Sequence, residues 1–359
     1  MTSLRTMTSL QPSVGQQGPG DGEAAPRQFW VRVPGSTSNL GPGFDALGMA
    51  VDTFLEATWA SSEGEALAVT RSGTLADAPW PPEDDLVVRV LGETFRDKRR
   101  SDPRITDPAS GSAAGLEGRL HLHSEIPLGR GLGSSAAARI AGAVLGRLLS
   151  VGAAERRDVL ADAAAREGHP DNAAPAVLGG LVASTLDETG AVTAIPLPLS
   201  MRIGWVLATP GVELATNRAR TVLPDQISRA AAVRNTGRLT LLLPALGAGD
   251  GPLLAVAMED ELHVPYRLPL VPGGAEAVAA AREAGAWGVT LSGAGSGLLA
   301  AVPRGAEAEV GEAMVRAFQA HPDAQGGSWR ALEPWNAGVQ WGVGPLRPPG
   351  PERFATSRG

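Results

Sequence analysis

Apolar and polar positions change rhythm along this chain, and the rhythm sorts it into elements. Phe29 to Val33 alternates as a strand and runs into a loop from Pro34 to Gly48. Leu55 to Trp59 and Leu67 to Arg71 read as further strands, with a turn-rich insert through Pro82. From Asp85 to Phe95 the spacing of Leu86, Val87, Val90 and Leu91 is helical. Asp102 to Gly118 is a polar loop, and Leu120-His-Leu-His123 alternates as a strand. An Ala- and Leu-rich helix starts at Ser134 or Ser135 and runs to Leu149. A second helix closes at Gly168, and a short one over Ala174 to Val177 closes at Gly179-Gly180. Strands at Leu181 to Leu186 and Ile203 to Ala208 flank a junction at Pro196 to Ser200. A helix (Asp225 to Leu243), a glycine-rich break and a helix (Ala275 to Ala284) follow. A strand-loop-strand unit (Gly288 to Val302) and a helix (Ala306 to Ala320) complete the pattern. Strands and helices alternate without regular βαβ spacing, so the expected fold class is α+β.

Length and composition narrow the possibilities. At 359 residues the chain has room for two cores, and the expected domains are 27–198 and 199–344. They lie between a polar, disordered leader over 1–26 and a flexible Pro- and Arg-rich tail over 345–359. No apolar run is long enough to span a membrane. With no cysteine, disulfides, thiolate metal sites and cysteine nucleophiles are excluded, which fits a cytoplasmic protein. The net charge of −7, with no basic run longer than Arg96 to Arg100, argues against nucleic acid as a partner.

The densest chemistry lies in Pro127-Leu-Gly129-Arg130-Gly131-Leu132-Gly133-Ser134-Ser135. Alternate glycines let the backbone turn its N–H groups toward a ligand. A glycine loop feeding a helix N-terminus is an anion site, because free N–H groups and the positive end of the helix dipole coincide. A Walker loop needs Lys before the Ser/Thr, but Gly133 stands there and Lys98 is the only lysine in the chain. A dinucleotide loop needs a strand ending in an acid about 20 residues on. Glu155 lies instead at the start of the second helix. A phosphate loop without lysine is the better reading.

Other segments carry weaker signals when taken alone. Between Pro34 and Gly48, Asn39 and Asp45 either bind a ligand amine or hydroxyl or satisfy their own loop backbone. In Glu167-Gly-His169-Pro-Asp171-Asn172, a lone histidine is a poor metal site. Glu167 together with the Ser134 hydroxyl suits Mg²⁺, a cation that takes oxygen ligands and shares substrate phosphates. Asp171 and Asn172 are placed to position an acceptor hydroxyl for phosphoryl transfer. Arg220 and Arg267 are either surface residues or a pair that grips a carboxylate. His121 and His123 read as structural. Thr290-Leu-Ser-Gly-Ala-Gly-Ser-Gly297 is a second glycine loop.

Taken together and in this order, these segments resemble the GHMP kinases. Pro127 to Ala136 matches their phosphate-loop motif, and Pro34 to Gly48 and Leu291 to Gly297 are similar to their first and third motifs. Four pieces point within that superfamily to the homoserine kinase family. They are Pro34-Gly-Ser-Thr-Ser-Asn-Leu-Gly-Pro-Gly-Phe-Asp45, Glu167-Gly-His-Pro-Asp-Asn172, Thr216 with Ala219-Arg220-Thr-Val-Leu-Pro224, and Pro265-Tyr-Arg267. The match spans about Val31 to Val343.

The resemblance implies a nucleotide-binding N-terminal domain, a ferredoxin-like C-terminal domain, a homodimer, and ATP and L-homoserine as substrates with Mg²⁺. Pro127 and Gly129 to Ser135 would wrap the ATP phosphates, and Ser134 and Glu167 would hold the metal. Asn39, Asp45, His169, Asp171, Asn172, Arg220 and Arg267 would line the acceptor site. Thr216 would sit near the acceptor hydroxyl, and Asn172 would orient it. Whether a dedicated base exists stays open. Two departures stand out. Ser296-Gly297 replaces the usual Pro-Ser/Thr, which is expected to loosen that loop, and Asp85 replaces an Asn at the adenine edge. A kinase for another small alcohol and a nucleotide-binding regulator without catalysis are the competing readings. The two arginines argue against the first, and intact Ser134, Glu167 and Asn172 against the second.

Overall fold

The computed structural model describes residues 27–62, 66–101, 116–212, 214 and 216–346, without the side chains of 216–218. The expected leader, all but the start of the expected tail, and the stretch 102–115 of the polar loop lie outside the described residues. The fold is α+β, with two sheets.

The first sheet takes β1 (Gln28–Ser38), β2 (Leu47–Ala60), β3 (Ala68–Gly73) and β4 (Arg119–Ser124), with β5 (Leu181–Leu186) and β6 (Val192–Leu197) as a hairpin on the early part of β2. Its main order is β11-β1-β2-β4-β3, where β11 (Gln340–Val343) returns from the far end of the chain to pair antiparallel with β1. β1 is longer than its alternation predicts. It runs past Pro34 through a register shift, so Ser36, Thr37 and Ser38 pair with Ala50, Met49 and Gly48 instead of forming a loop. These three residues are buried, and their backbone is satisfied by pairing with β2 and by bonds to neighbouring loops, Ser36 N donating to Leu132 O and Ser38 O accepting from Gly293 N. On the edge, Ser72 bonds both His121 and His123, consistent with a structural role for the two histidines.

Helices α1 (Leu86–Ser101), α2 (Ser134–Val151), α3 (Arg156–Glu167) and α4 (Ala173–Leu178) accompany this sheet, with α2 packed on β1 and β2. α1 and α2 approach closely: a Cβ on Gly142 would fall 2.7 Å from Val87 O. Small residues at that crossing let α2 bury most of its length and aim its first turn at the sheet's loop edge.

The chain leaves the first sheet at Leu197 and enters the second at Ile203. The second sheet is antiparallel, in the order β10-β7-β9-β8, from β7 (Ile203–Pro210), β8 (Gly288–Leu291), β9 (Leu298–Pro303) and β10 (Gly327–Leu332). All eight residues of β7 are buried, as a continuous apolar run predicts. Val206, Ala208, Leu298 and Ala300 pack with α9 (Gly274–Glu283) and α10 (Glu307–Ala320). Trp205, Leu207, Leu299 and Ala301 join the core of the first half, together with Leu242 and Leu246 of α6 (Arg229–Ala248) and Leu254 of α7 (Gly251–Ala257). One apolar cluster therefore bridges the two halves.

Several elements differ from the sequence reading. α6 starts four residues later than expected, because the Ser228 hydroxyl caps it by accepting from Ala231 N. It also continues past Pro244 to Ala248, although Pro forfeits one helical N–H. In the glycine-rich break, Asp250 caps α7 by accepting from Leu253 N. Short helices α5 (Thr216–Thr221) and α8 (Val264–Arg267) were unforeseen, as were β6, β10 and β11. Among the described residues no helix is long and apolar enough to cross a membrane.

Candidate active site

The phosphate loop is built around its glycines. Gly129, Gly131 and Gly133 all have positive φ (64°, 78° and 65°). A Cβ on Gly131 would meet Ser292 O at 1.9 Å, and one on Gly133 would meet Ser36 Oγ at 2.3 Å. The alternation is thus demanded twice, by left-handed backbone and by Ser36 and Ser292 pressed against the loop. Leu132, 1% exposed, anchors the loop in the core. Leu132 O accepts from Ser36 N at 3.1 Å, and Ser292 Oγ donates to Gly131 O at 2.7 Å. The first and third motifs therefore hold the second.

Behind the loop, α2 begins without a side-chain cap and without an acid in its first turn. Its free N–H groups and positive dipole end open into a cleft of about 820 Å³, lined by Pro127 to Ala136. That cleft is also lined by Leu75, Trp80, Leu86 and Val87, apolar side chains suited to a flat ring, with Asp84 and Asp85 among them. Asp85 has a local duty here: its carboxylate accepts from Val87 N at 3.0 Å and so starts α1.

The polar side chains expected from sequence line the same cleft: Asn39, Asp45, His169, Asp171, Asn172, Arg220 and Arg267. Both atoms of the Asn172 amide are held. Nδ2 donates to Ser38 Oγ at 2.9 Å, and Oδ1 accepts from Ser36 Oγ at 3.0 Å. Asn39, in left-handed backbone, donates from Nδ2 to Gly293 O (2.9 Å) and accepts at Oδ1 from Asp45 N (3.0 Å). Asn39 thus both faces the cleft and satisfies its own loop. Arg220 forms a two-point pair with Asp45, at 3.1 and 3.4 Å. His169 Nδ1 bonds the carboxylate of Asp171, which is 1% exposed. Burial alone would lower the His169 pKa. The hydrogen bond and charge of Asp171, with Asp45 behind, outweigh it and raise the pKa above the ordinary value.

Arg267 is 2% exposed. Its Nε donates to Ala219 O at 2.8 Å and Nη1 to Gly293 O at 3.5 Å. Among the described residues Nη2 has no hydrogen-bond partner, which leaves one edge of the guanidinium for a ligand.

Three expectations are altered. Arg130 sends its guanidinium away from the cleft, donating to Pro210 O (2.7 Å), Gly211 O (2.9 Å), Val212 O and Ser296 Oγ (3.3 Å). A side chain engaged with four acceptors is not free to hold phosphate, so only the Arg130 backbone contributes to the loop. Ser296, 1% exposed, also donates to Val212 O at 3.1 Å, so that loop is tied where loosening was expected. The hydroxyl that reaches Glu167 is that of Ser135, at 2.7 Å, and not that of Ser134. The side chain of Thr216 lies outside the described residues, and its backbone opens α5.

Sequence reasoning missed the supports. Arg139 Nε lies 2.8 Å from Glu167 Oε1, as an ion-pair contact. It stands one helical turn after Ser135, a spacing that could have flagged it. Ser36, Ser38 and Ser292 were visible as motif residues, but not as braces. Trp80 gives no signal of its own, since only folding brings that insert to the phosphate loop. Among the described residues, Asp45, His169 and Asp171 group their ligand atoms within 4.8 Å. His169 Nδ1 is already taken by Asp171, so the cluster is a hydrogen-bonded acidic pocket suited to an ammonium group.

Comparison with known proteins identifies the family. The GHMP kinases N terminal domain matches residues 90–180, and the GHMP kinases C terminal domain matches 242–320. A homoserine kinase from Solibacter usitatus is 40% identical over 280 residues, 78% of this chain and 86% of that protein. One from Moorella thermoacetica is 41% identical over 290 residues, 80% of this chain and 92% of the relative. The chain belongs to the homoserine kinase family of GHMP kinases. The crystal structure of homoserine kinase from Cytophaga hutchinsonii superposes with a TM-score of 0.73 at 27% identity, covering 92% of this chain and all of that one. Members of this family are ATP-dependent small-molecule kinases, and so is this chain.

Proposed function

We propose that the cleft transfers the γ-phosphoryl group of ATP to the side-chain hydroxyl of L-homoserine, giving O-phospho-L-homoserine and ADP. One observation carries the reading. A single cleft joins an uncapped helix N-terminus behind a glycine loop to a pocket holding both an acidic cluster and a buried guanidinium with a free edge. The first suits phosphates, and the second suits an acceptor that carries both ammonium and carboxylate.

In this reading the apolar wall at Trp80 and Leu86 takes adenine, and the N–H groups of Gly129 to Ser135 take the phosphates. Asp45 and the His169–Asp171 pair face the substrate amine, while Arg267 and Arg220 face its carboxylate. Asn172, clamped by Ser36 and Ser38, directs the hydroxyl toward the γ-phosphorus. The acceptor oxygen forms its bond to phosphorus as the bond to the β–γ bridging oxygen breaks. The hydroxyl proton leaves to a phosphoryl oxygen or to Asp171. The Glu167 carboxylate and the neighbouring serine hydroxyls are hard oxygen donors beside the helix N-terminus, a set that fits Mg²⁺. Ser134 and Glu167 would hold it, and it would neutralise phosphate charge. Residues 27–198 would form the nucleotide domain and 199–344 the second, apart from β11, which pairs in the first sheet. A homodimer in the cytoplasm is carried over from the family, and sedimentation measures the dimer.

An ADP-release assay over a panel of acceptor alcohols tests the substrate. Turnover is expected with L-homoserine and not with alcohols that lack the carboxylate. Turnover with another alcohol but not homoserine overturns the assignment.

A further inference from the structure

Arg267 ends a helix of only four residues, α8, so the helix alone cannot fix a guanidinium. What lies behind it can. Asp260, 8% exposed, accepts from the N–H groups of Leu262 (3.0 Å), His263 (2.8 Å) and Val264 (2.7 Å), holding the first turn of α8. His263 is fully buried, and its Nε2 donates to Gly41 O at 3.0 Å, which bolts α8 to the first-motif loop. Phe44, on that same loop, stacks against the His263 ring with centroids 5.1 Å apart. The other side of the geometry is Arg267, whose guanidinium carbon lies 5.1 Å from the Phe44 centroid. From α6, Asn235 donates to Pro42 O at 3.0 Å and accepts from Glu261 N at 3.2 Å, closing the loop onto the same segment.

None of Phe44, Asp260 or His263 lines the cleft. They are also more elaborate than packing alone requires, since a buried His with a single carbonyl partner is costly. Burial lowers the His263 pKa against the opposing charge of Asp260, so a neutral ring stands behind Phe44 and not a second cation.

We propose that Phe44, His263 and Asp260 form a positioning brace that sets the Arg267 guanidinium for the acceptor's carboxylate. The aromatic face holds the cation in plane, His263 holds the aromatic ring's loop, and Asp260 holds the helix that carries both. This rests on the assignment of Arg267 to the carboxylate.

Steady-state kinetics on the full chain tests the brace. Phe44→Leu should raise the homoserine KM about tenfold while the ATP KM stays within about twofold, as expected for a lost desolvated cation–π contact. Phe44→Tyr keeps the ring and should stay near wild type. In an Arg267→Ala background, adding Phe44→Leu should change the homoserine KM by less than about twofold, because nothing is left to position. The brace is overturned if Phe44→Leu raises both KM values alike, or costs as much without Arg267 as with it. Should Phe44→Leu fail to fold, His263→Gln, which keeps a donor for Gly41 O but loses the stacking, is scored by the same comparison. If Arg267→Ala alone leaves the homoserine KM unchanged, the carboxylate assignment falls. If it raises that KM and the brace variants do not, only the brace falls.

Discussion

In the proposed reading a ligand meets backbone at the phosphate end of the cleft and side chains at the acceptor end. The phosphate loop offers N–H groups on three left-handed glycines and an uncapped helix start, and its one charged side chain, Arg130, is engaged elsewhere. The acceptor end offers charges already matched to one another, Arg220 with Asp45 and His169 with Asp171. Such a difference has consequences. A backbone site tolerates no added Cβ but little cares which polar side chains surround it. A site of paired charges can exchange partners. In the proposed reading a zwitterion replaces one pair with two, its ammonium taking Asp45 and its carboxylate taking Arg220, so no charge is stranded.

The largest expected effect lies at the backbone end. Gly131→Ala forces a Cβ to within 1.9 Å of Ser292 O in left-handed backbone. It should cost on the order of 3 kcal/mol of stability and lower turnover by about 10²-fold or more through the displaced loop. Thermal denaturation measures the first, and kcat together with the ATP KM measures the second. A variant with wild-type ATP kinetics would break the claim that backbone geometry makes this end. At the other end, Arg267→Ala should raise the homoserine KM by about 10²-fold and leave the ATP KM nearly unchanged. Lysine should not restore it, since Lys lacks the planar fork. Equal effects on both substrates would erase the division between the two ends.

The same division explains what could be read from sequence. The phosphate loop is contiguous, and its chemistry follows from glycine and from the helix behind it, so composition and spacing suffice. The proposed acceptor pocket draws Asp45, His169, Arg220 and Arg267 from four separate segments. Nothing local ties them together, and only the family resemblance placed them in one site. Long periodic elements such as α2 and α10 were legible from apolar spacing. The short helices α5 and α8 and the edge strands β6, β10 and β11 were not, because tertiary contacts form them more than propensity does. Arg130 misled because an arginine inside a phosphate loop reads as a phosphate ligand. Its true partners, the carbonyls at 210–212, are about 80 residues away.

A smaller effect separates the two serines. Glu167→Ala should raise the Mg²⁺ needed for half-maximal turnover about tenfold. Ser134→Ala should act in the same direction. Ser135→Ala, which loses one hydrogen bond at an exposed position, should matter less. A larger loss from Ser135→Ala would move the metal hydroxyl by one residue, onto the side chain that the structure joins to Glu167.

The smallest effect is a pH dependence confined to the acceptor end. Burial opposes protonation of His169, but Asp171 and Asp45 raise its folded-state pKa above the unfolded value of about 6.5. The folded state therefore binds the proton more tightly than the unfolded chain does. That stabilisation is fully present below the unfolded pKa and is lost as pH rises through the higher, folded one. His169→Gln lacks it at every pH. The difference in Tm between wild type and His169→Gln should thus be largest in mild acid and shrink toward alkaline pH. Gly131→Ala, whose defect is steric, should show a constant difference over the same range. A His169→Gln difference that grows with pH would mean that the folded state holds His169 neutral, and the acceptor pocket would then lack the paired charge that sets it apart from the phosphate end.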